Sequence, residues 1–398
     1  MLSVEEARER ILASVRLTEA EEIPLLEAAG RVPAVASVTA AVDVPPFANS
    51  SMDGFALRAA DAPGELPLTG EVAAGAATLP TVAPGSVVRI MTGAPIPPGA
   101  DTVIPLEEAE LVGDDRVRLP AAEVGRNVRP LGHDTRHGEE VALALEPLSA
   151  STLAVLASLG VGRIAVRRRP RVAILSTGDE LAAPGEALGP GQIHDANTVS
   201  LAAAVLEAGG EPVLVPGVRD EPAAIDEALR DASTSADLVV VSGGVSVGRH
   251  DHVRAGIERL GELGFWRIAV KPGKPLAFGS IADRPVIGLP GNPVSALVTF
   301  ELFVRILLRG MLGLAGDGRL HLPARLDATV AKDRERRAYL RVVVRSGAGG
   351  WVASPAGGQG SAQLRSLAAA NALLVVPEGE AAGMAGAEYD AVLLRGTP

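Results

Sequence analysis

Four short turns hold the residues best able to do chemistry. Residues 237–251 read Asp-Leu-Val-Val-Val-Ser-Gly-Gly-Val-Ser-Val-Gly-Arg-His-Asp, an apolar strand that breaks into a glycine-rich, hydroxyl-bearing turn ahead of a helix. Ser242, Gly243, Gly244, Ser246 and Gly248 supply what an anion needs: close backbone approach where no Cβ intervenes, hydroxyl donors, and the positive end of a helix. Three turns of similar design accompany it: Ser176-Thr177-Gly178-Asp179-Glu180, Lys271-Pro272-Gly273-Lys274-Pro275 and Leu289-Pro290-Gly291-Asn292-Pro293-Val294-Ser295. Turns at strand ends converge on one edge of a parallel sheet, where α/β proteins place ligands. One such turn is as readily an ordinary strand-to-helix connection; four together predict a phosphorylated ligand.

Glu180, Asp220 and Asp251 each follow an expected strand, so they are candidates to gather at that edge as a magnesium site. Mg²⁺ takes one or two carboxylates plus substrate phosphate, so not all three need be ligands. Asp220 has a competing use as a helix cap ahead of Glu221-Pro222. Lys271 and Lys274, held by prolines, are placed to bind phosphate rather than to wave in solvent. Pro290, Asn292 and Pro293 shape a sharp turn into a helix, with Asn292 able to cap and Pro293 at the first helical position; Ser295 is left to donate to a phosphate.

Composition narrows the field. The chain has 398 residues, too many for one comfortable core, with 47% hydrophobic and 21% charged residues. No apolar run approaches the roughly 18 residues of a membrane span. Residues 1–9 read as a charged amphipathic helix rather than a secretory signal, which sets the expectation of the cytoplasm. There is no cysteine, hence no disulfide, thiolate ligand or cysteine nucleophile, and the six histidines lack a paired metal-ligand spacing. A net charge of −11 with 3% aromatics argues against nucleic-acid binding, and the basic run 167–171 reads as a solvated junction. An anionic ligand must be captured by local donors, since screening confines the field of exposed charges to about 8 Å.

The elements that would position these residues follow from periodicity. Ser3-Val4-Glu5-Glu6 is a capping box, with Val4, Ala7, Ile11, Leu12 and Val15 on one helical face. A second helix is expected over 149–158, stopped by Gly160. Between them, residues 40–134 are rich in Pro, Gly, Val and Thr, with short strands at 86–91, 101–106 and 116–119. From Arg171, strands at 172–175, 212–215, 238–241 and 266–270 alternate with helices at 198–208, 222–231 and 252–260, the signature of a doubly wound sheet. A helix at 294–309 precedes short strands, including 339–344 and 372–376. The expected domains are a discontinuous N-terminal helical domain (1–39 and 135–166), an inserted β-domain (40–134), an α/β domain (167–312) and a C-terminal β-barrel-like domain (313–398).

With these segments in order, the chain resembles the MoeA-type molybdopterin molybdenumtransferases and is similar to the C-terminal domain of gephyrin. The resemblance spans nearly the whole length. It rests on the three turns at 176–181, 271–275 and 289–296, on 242–248, and on Ser51-Met52-Asp53-Gly54-Phe55-Ala56, Ile90-Met91-Thr92-Gly93-Ala94, Asn127-Val128-Arg129 and Gly358-Gln359-Gly360-Ser361. It implies a MoaB/MogA-like α/β domain that binds molybdopterin, and a homodimer with its active site between subunits. It implies the reaction of adenylylated molybdopterin with molybdate, assisted by Mg²⁺, to give the molybdenum cofactor and AMP.

The same resemblance gives roles to residues that would mean little alone. Asp53, Thr92 and Asp134 would complete a partner subunit's cradle, with His133 standing where the family commonly has an acidic residue. Arg267, where family members carry lysine, would help Lys271 place molybdate; arginine offers a planar fork in place of a compact ammonium. Ser361 would join from the C-terminal domain, followed by Ala362 where relatives carry a polar residue. The partners open to such an enzyme are an upstream molybdopterin adenylyltransferase and recipient apo-molybdoenzymes. Rival readings are the adenylyltransferase itself, a CinA-like hydrolase, or a binding scaffold without turnover.

Overall fold

The computed structural model describes residues 1–244, 252–347 and 349–396. The chain forms two compact units, Met1–Glu21 with Arg167–Pro398, and Glu22–Val166.

The larger unit is built on a six-stranded sheet: β1 (Arg171–Thr177), β2 (Glu211–Val218), β3 (Leu238–Ser242), β4 (Glu262–Trp266), β5 (Ala277–Ile281) and β6 (Arg284–Leu289), in the order β2-β1-β3-β6-β5-β4. β2, β1, β3 and β6 run parallel, while β5 and β4 return antiparallel. All five residues of β3 are buried, as a parallel strand covered on both faces requires. Alternate residues serve different cores. Val172, Ile174, Leu238, Val240 and Ile287 point to one, shared with helices Val4–Leu12 and Ala196–Glu207; Ala173, Leu175, Val239, Val241 and Val286 point to the other, under helices Pro222–Ser235 and His252–Leu260. Each fully buried valine or leucine contributes about 1.5–3 kcal/mol, so both faces of the sheet stabilise it. The chain leaves β1 for one neighbour and β2 for the other side of β1, which puts a crevice outside the carboxyl ends of β1 and β3.

The opening helix is set by the expected capping box: Ser3 accepts from the Glu6 N–H, and Glu6 reaches back to the Ser3 N–H. Val4, Ala7 and Ile11 are buried, but Leu12 is exposed. Within the basic run at 167–171, Arg169 and Arg171 are exposed, whereas Arg168 makes a forked contact with Asp237 and a further one with Glu19.

The strand expected over 266–270 is divided. β4 ends at Trp266, because Arg267 turns into the left-handed region (φ 77°), and Val270–Lys271 pairs instead with Arg337–Ala338 of the C-terminal region. There, strands His321–Leu326, Arg337–Gly347, Gly350–Pro355, Ala372–Val376 and Glu388–Leu393 close into a five-stranded barrel, which leaves none of the five with a free edge. The helix expected over 294–309 runs as Pro293–Thr299, a π-helical turn Phe300–Val304 and Arg305–Met311.

The smaller unit centres on a sheet that includes Gly54–Leu57, Gly64–Val72, Val87–Ile90, Thr102–Pro105 and Arg116–Leu119. Its helix Ala150–Ser158 is capped by Ser149 and followed by Gly160 at φ 83°. The sequence boundaries differ from this partition: the first helix packs with the α/β sheet, because its apolar face completes that core, and the short strands Ser37–Thr39 and Glu140–Ala142 pair where a helical domain was expected.

Candidate functional site at the switch point and the adjoining cationic cavity

Thr177 ends β1 and packs beneath the glycine turn that follows β3. Gly243 (φ 91°) and Gly244 (φ 62°) hold left-handed conformations, and a Cβ on Gly243 would sit 2.5 Å from the Thr177 carbonyl oxygen. The turn therefore requires glycine for both conformation and space. Thr177 Oγ1 is buried with no hydrogen-bond partner among the described residues. The exposed Glu180 folds its carboxylate over Gly178, 2.6 Å from where a Cβ would lie.

Asp220 follows β2 and is not the helix cap; Glu221 holds that position. The Asp220 N–H donates to Asp179 Oδ1 (3.4 Å), and its own Oδ1 is buried without a partner among the described residues. Asn197 stands between the glycine turn and the turn after β6, donating from Nδ2 to Ser242 Oγ (2.7 Å) and to the Gly291 carbonyl (2.8 Å). Its Oδ1 is a third buried atom here without a partner among the described residues. Buried polar atoms are almost always satisfied, so three orphans at one sheet edge mark a place built for a polar ligand. Ser246, Gly248 and Asp251 lie outside the described residues.

The turn after β6 leads into a second feature. Pro293 is the first helical residue as expected, whereas Asn292 makes no side-chain cap bond and instead lines a cavity of about 530 Å³. Lys271, Lys274, Ser295 and Ser361 line the same cavity, so five of the candidate residues meet there. The Val294 N–H donates to the Ser361 carbonyl, which ties the C-terminal loop to this helix. Pro290 is buried behind the turn.

The walls are cationic. Lys332, Arg336 and Arg341 join the two lysines, none of them singled out from the sequence. Asp333 is shared between Arg336 (2.6 Å) and Lys271 (3.6 Å), and the Arg336 fork holds its carboxyl at about 2. Lys332 spends its ammonium on the carbonyls of Asp333, Arg336 and Glu380. Arg341 is fully buried, donates to Ser366 Oγ and to the carbonyls of Gly358 and Gly360, and keeps Nη1 unpartnered. Its fixed guanidinium thus shapes the loop that carries Ser361. Lys274 has no ion-pair partner among the described residues. The only sequence signal for Arg341 is a charge at a position of a barrel strand where alternation would bury it.

Arg267 is placed otherwise than expected. Its guanidinium stacks on Trp266, 3.6 Å from the ring centre, and it is not among the residues lining the cavity. In the smaller unit, the pairing of Gly54 with Ile90 sets Asp53 and Thr92 at one end of the sheet, where Thr92 donates twice to Asp53. Asp134 is exposed and donates its backbone N–H to Val44.

Fold and site together define a multidomain α/β protein with a glycine turn at the switch point of its sheet and an adjoining cationic cavity. Three family profiles match in order: "MoeA N-terminal region (domain I and II)" over residues 2–160, "Probable molybdopterin binding domain" over 173–310, and "MoeA C-terminal region (domain IV)" over 323–394. The chain belongs to the MoeA family of molybdopterin molybdenumtransferases. It is 37% identical over 391 residues to molybdopterin molybdenumtransferase 2 of Mycobacterium tuberculosis (strain ATCC 25618 / H37Rv), covering 95% of this chain and 96% of that one. The molybdopterin molybdenumtransferase of Haemophilus influenzae is 39% identical over 319 residues, 79% of this chain and 78% of the relative. Two structures of the molybdopterin biosynthesis MoeA protein from Pyrococcus horikoshii superpose with TM-scores of 0.84 and 0.80 at 33% and 30% identity, covering 100% and 99% of this chain and 100% of each of those.

Proposed function

We propose that this chain inserts molybdenum from molybdate into adenylylated molybdopterin, releasing AMP. The observation that carries the reading is the turn Pro290–Pro293. Its Gly291 carbonyl is bonded into the switch-point cradle and its Asn292 lines the cationic cavity, so one rigid turn joins a phosphate site to an oxyanion site.

The cradle of Thr177, Ser242, Gly243 and Gly244 would hold the phosphate-bearing part of the substrate through backbone N–H groups and hydroxyls. Lys271, Lys274 and Arg341 would hold molybdate beside the two dithiolene sulfurs. Water cleaves the phosphoanhydride to give AMP, and the dithiol displaces one oxo group of molybdate, which leaves as water with the two thiol protons. Both sulfurs belong to the substrate, so a chain without cysteine suffices.

The donors also suit magnesium. Asp220 Oδ1 is a buried carboxylate oxygen with no hydrogen-bond partner among the described residues, the kind of donor that an ion taking one or two carboxylates and the substrate's phosphate would use. Asp220, with Glu180 and Asp251 as the other candidates, would hold Mg²⁺. Bound there, it supplies charge neutralisation at the anhydride.

We place Asp53, Thr92 and Asp134 in the site of a second copy of the chain, as in a homodimer, with the cytoplasm as the setting; no described helix is long and apolar enough to cross a membrane. The test mixes purified protein with adenylylated molybdopterin, Mg²⁺ and molybdate, and follows AMP release and reconstitution of an apo-molybdoenzyme. Molybdate-dependent release that fails in Asp220→Asn supports insertion. Tight binding without turnover would leave a scaffold.

A further inference from the structure

Asn197 lies in the first turn of the helix Ala196–Glu207, yet both of its amide hydrogens are spent far along the chain, on Ser242 Oγ and the Gly291 carbonyl. A carbonyl only accepts, so the amide nitrogen must face Gly291; the flipped side chain would set two oxygens against each other. Ser242 Oγ then accepts from Asn197, which leaves the hydroxyl's own proton to give. Ser242 is 2% exposed, and its hydroxyl has no acceptor among the described residues. The geometry converts a hydroxyl that could point either way into a donor directed at whatever enters the cradle.

We propose that Asn197 is a positioning residue for the substrate's phosphate. It sets the Ser242 hydroxyl as a donor to the anion, and it holds the glycine turn in register with the turn that leads to the cationic cavity. This rests on the reading of the cradle as the site of a molybdopterin phosphate.

The chemistry separates this role from simple space-filling. Aspartate has the shape of asparagine but only accepts. In Asn197→Asp the carboxylate would oppose the Gly291 carbonyl and draw the Ser242 proton to itself, so it should harm anion binding more than Asn197→Ala does. Space-filling predicts the reverse order. Ser242→Ala removes the group through which Asn197 acts, so the two losses should not multiply.

Binding of molybdopterin is measured by titration calorimetry on the full chain for wild type, Asn197→Ala, Asn197→Asp, Ser242→Ala and the Asn197→Ala/Ser242→Ala double variant, with the thermal midpoint of each. The expected result is an affinity loss of about tenfold for Asn197→Ala, a larger one for Asn197→Asp, and a double variant weaker by less than the product of the single losses. Binding by Asn197→Asp equal to wild type or better than Asn197→Ala, or multiplicative losses, would overturn the proposal. If Asn197→Ala does not fold, the volume-preserving Asn197→Asp decides by itself against wild type. Wild type that fails to bind molybdopterin would overturn the functional reading, and this one with it.

Discussion

A single oxygen of Asp53, Oδ1, accepts both the backbone N–H of Thr92 at 2.6 Å and its hydroxyl at 2.7 Å. The backbone bond and then the hydroxyl bond hold this carboxyl below the usual carboxylate range, against a small opposing effect of burial, with Arg89 adding its charge. Asp53 is therefore ionised at neutral pH. Thr92→Val removes only the hydroxyl, so the Asp53 titration followed by carboxyl NMR should move part of the way up, while Thr92→Ser leaves it in place.

If Asp53 serves the site of a second copy, the chemistry complements in trans. Asp53→Asn and Asp220→Asn should each be inactive alone. Mixed and re-equilibrated, random pairing leaves about a quarter of the sites of a two-fold dimer intact, and AMP release should recover to about that level. No recovery would place both residues in one subunit's site.

Gly243 tests the cradle itself. Gly243→Ala meets both a left-handed backbone and the Thr177 carbonyl, and should cost about 2–3 kcal/mol in denaturant unfolding with loss of molybdopterin binding. Gly185 is also left-handed (φ 95°) but has open space around it, so Gly185→Ala should cost only about 1 kcal/mol and leave binding unchanged.

Asp333 competes with any anion for Lys271. Asp333→Asn should strengthen molybdate binding several-fold, and Lys271→Met should weaken it about tenfold, both read by titration calorimetry at fixed ionic strength. Equal affinities in all three proteins would remove Lys271 from the oxyanion site.

His321 carries a pH dependence of stability. Nδ1 lies 2.9 Å from Asp390 and Nε2 3.0 Å from Asp317, so both nitrogens face acceptors and both can donate only when the ring is charged. Burial disfavours the charged ring, but the two carboxylates outweigh it and raise the folded value. A raised value gives stability that is complete below the unfolded value of about 6.5 and is lost as pH rises through the folded one. The gap in thermal midpoint between wild type and His321→Gln should be wider at pH 6 than at pH 9; a gap independent of pH would show that the ring acts through packing alone.

The glycine turns, the strand-helix alternation and the capping box of the first helix were legible because each is a local rule: a missing Cβ, a repeat of two or 3.6, a hydroxyl three residues ahead of a carboxylate. Lys271, Lys274, Asn292, Ser295 and Ser361 were legible as candidates, but their meeting in one cavity was not, since Val270–Lys271 reaches the barrel only through a pairing with residues 337–338. Arg267 shows the converse. The family resemblance implied an anion ligand, whereas its left-handed backbone goes with a guanidinium stacked on Trp266.

From its residues alone the chain determined the strand-helix alternation of a doubly wound sheet, the glycine turns at its strand ends, the lack of cysteine and the family to which it belongs, because composition and short-range stereochemistry suffice for these. Only the tertiary structure decided that Asn197 would bond to Ser242 and Gly291, that Asp220 would keep a buried oxygen with no partner among the described residues, and that Arg341 would hold the Gly358 and Gly360 carbonyls of the Ser361 loop. Those facts depend on which distant segments become neighbours when the β-strands pair and both faces of the sheet are buried, and no local pattern encodes a contact between residues 94 positions apart.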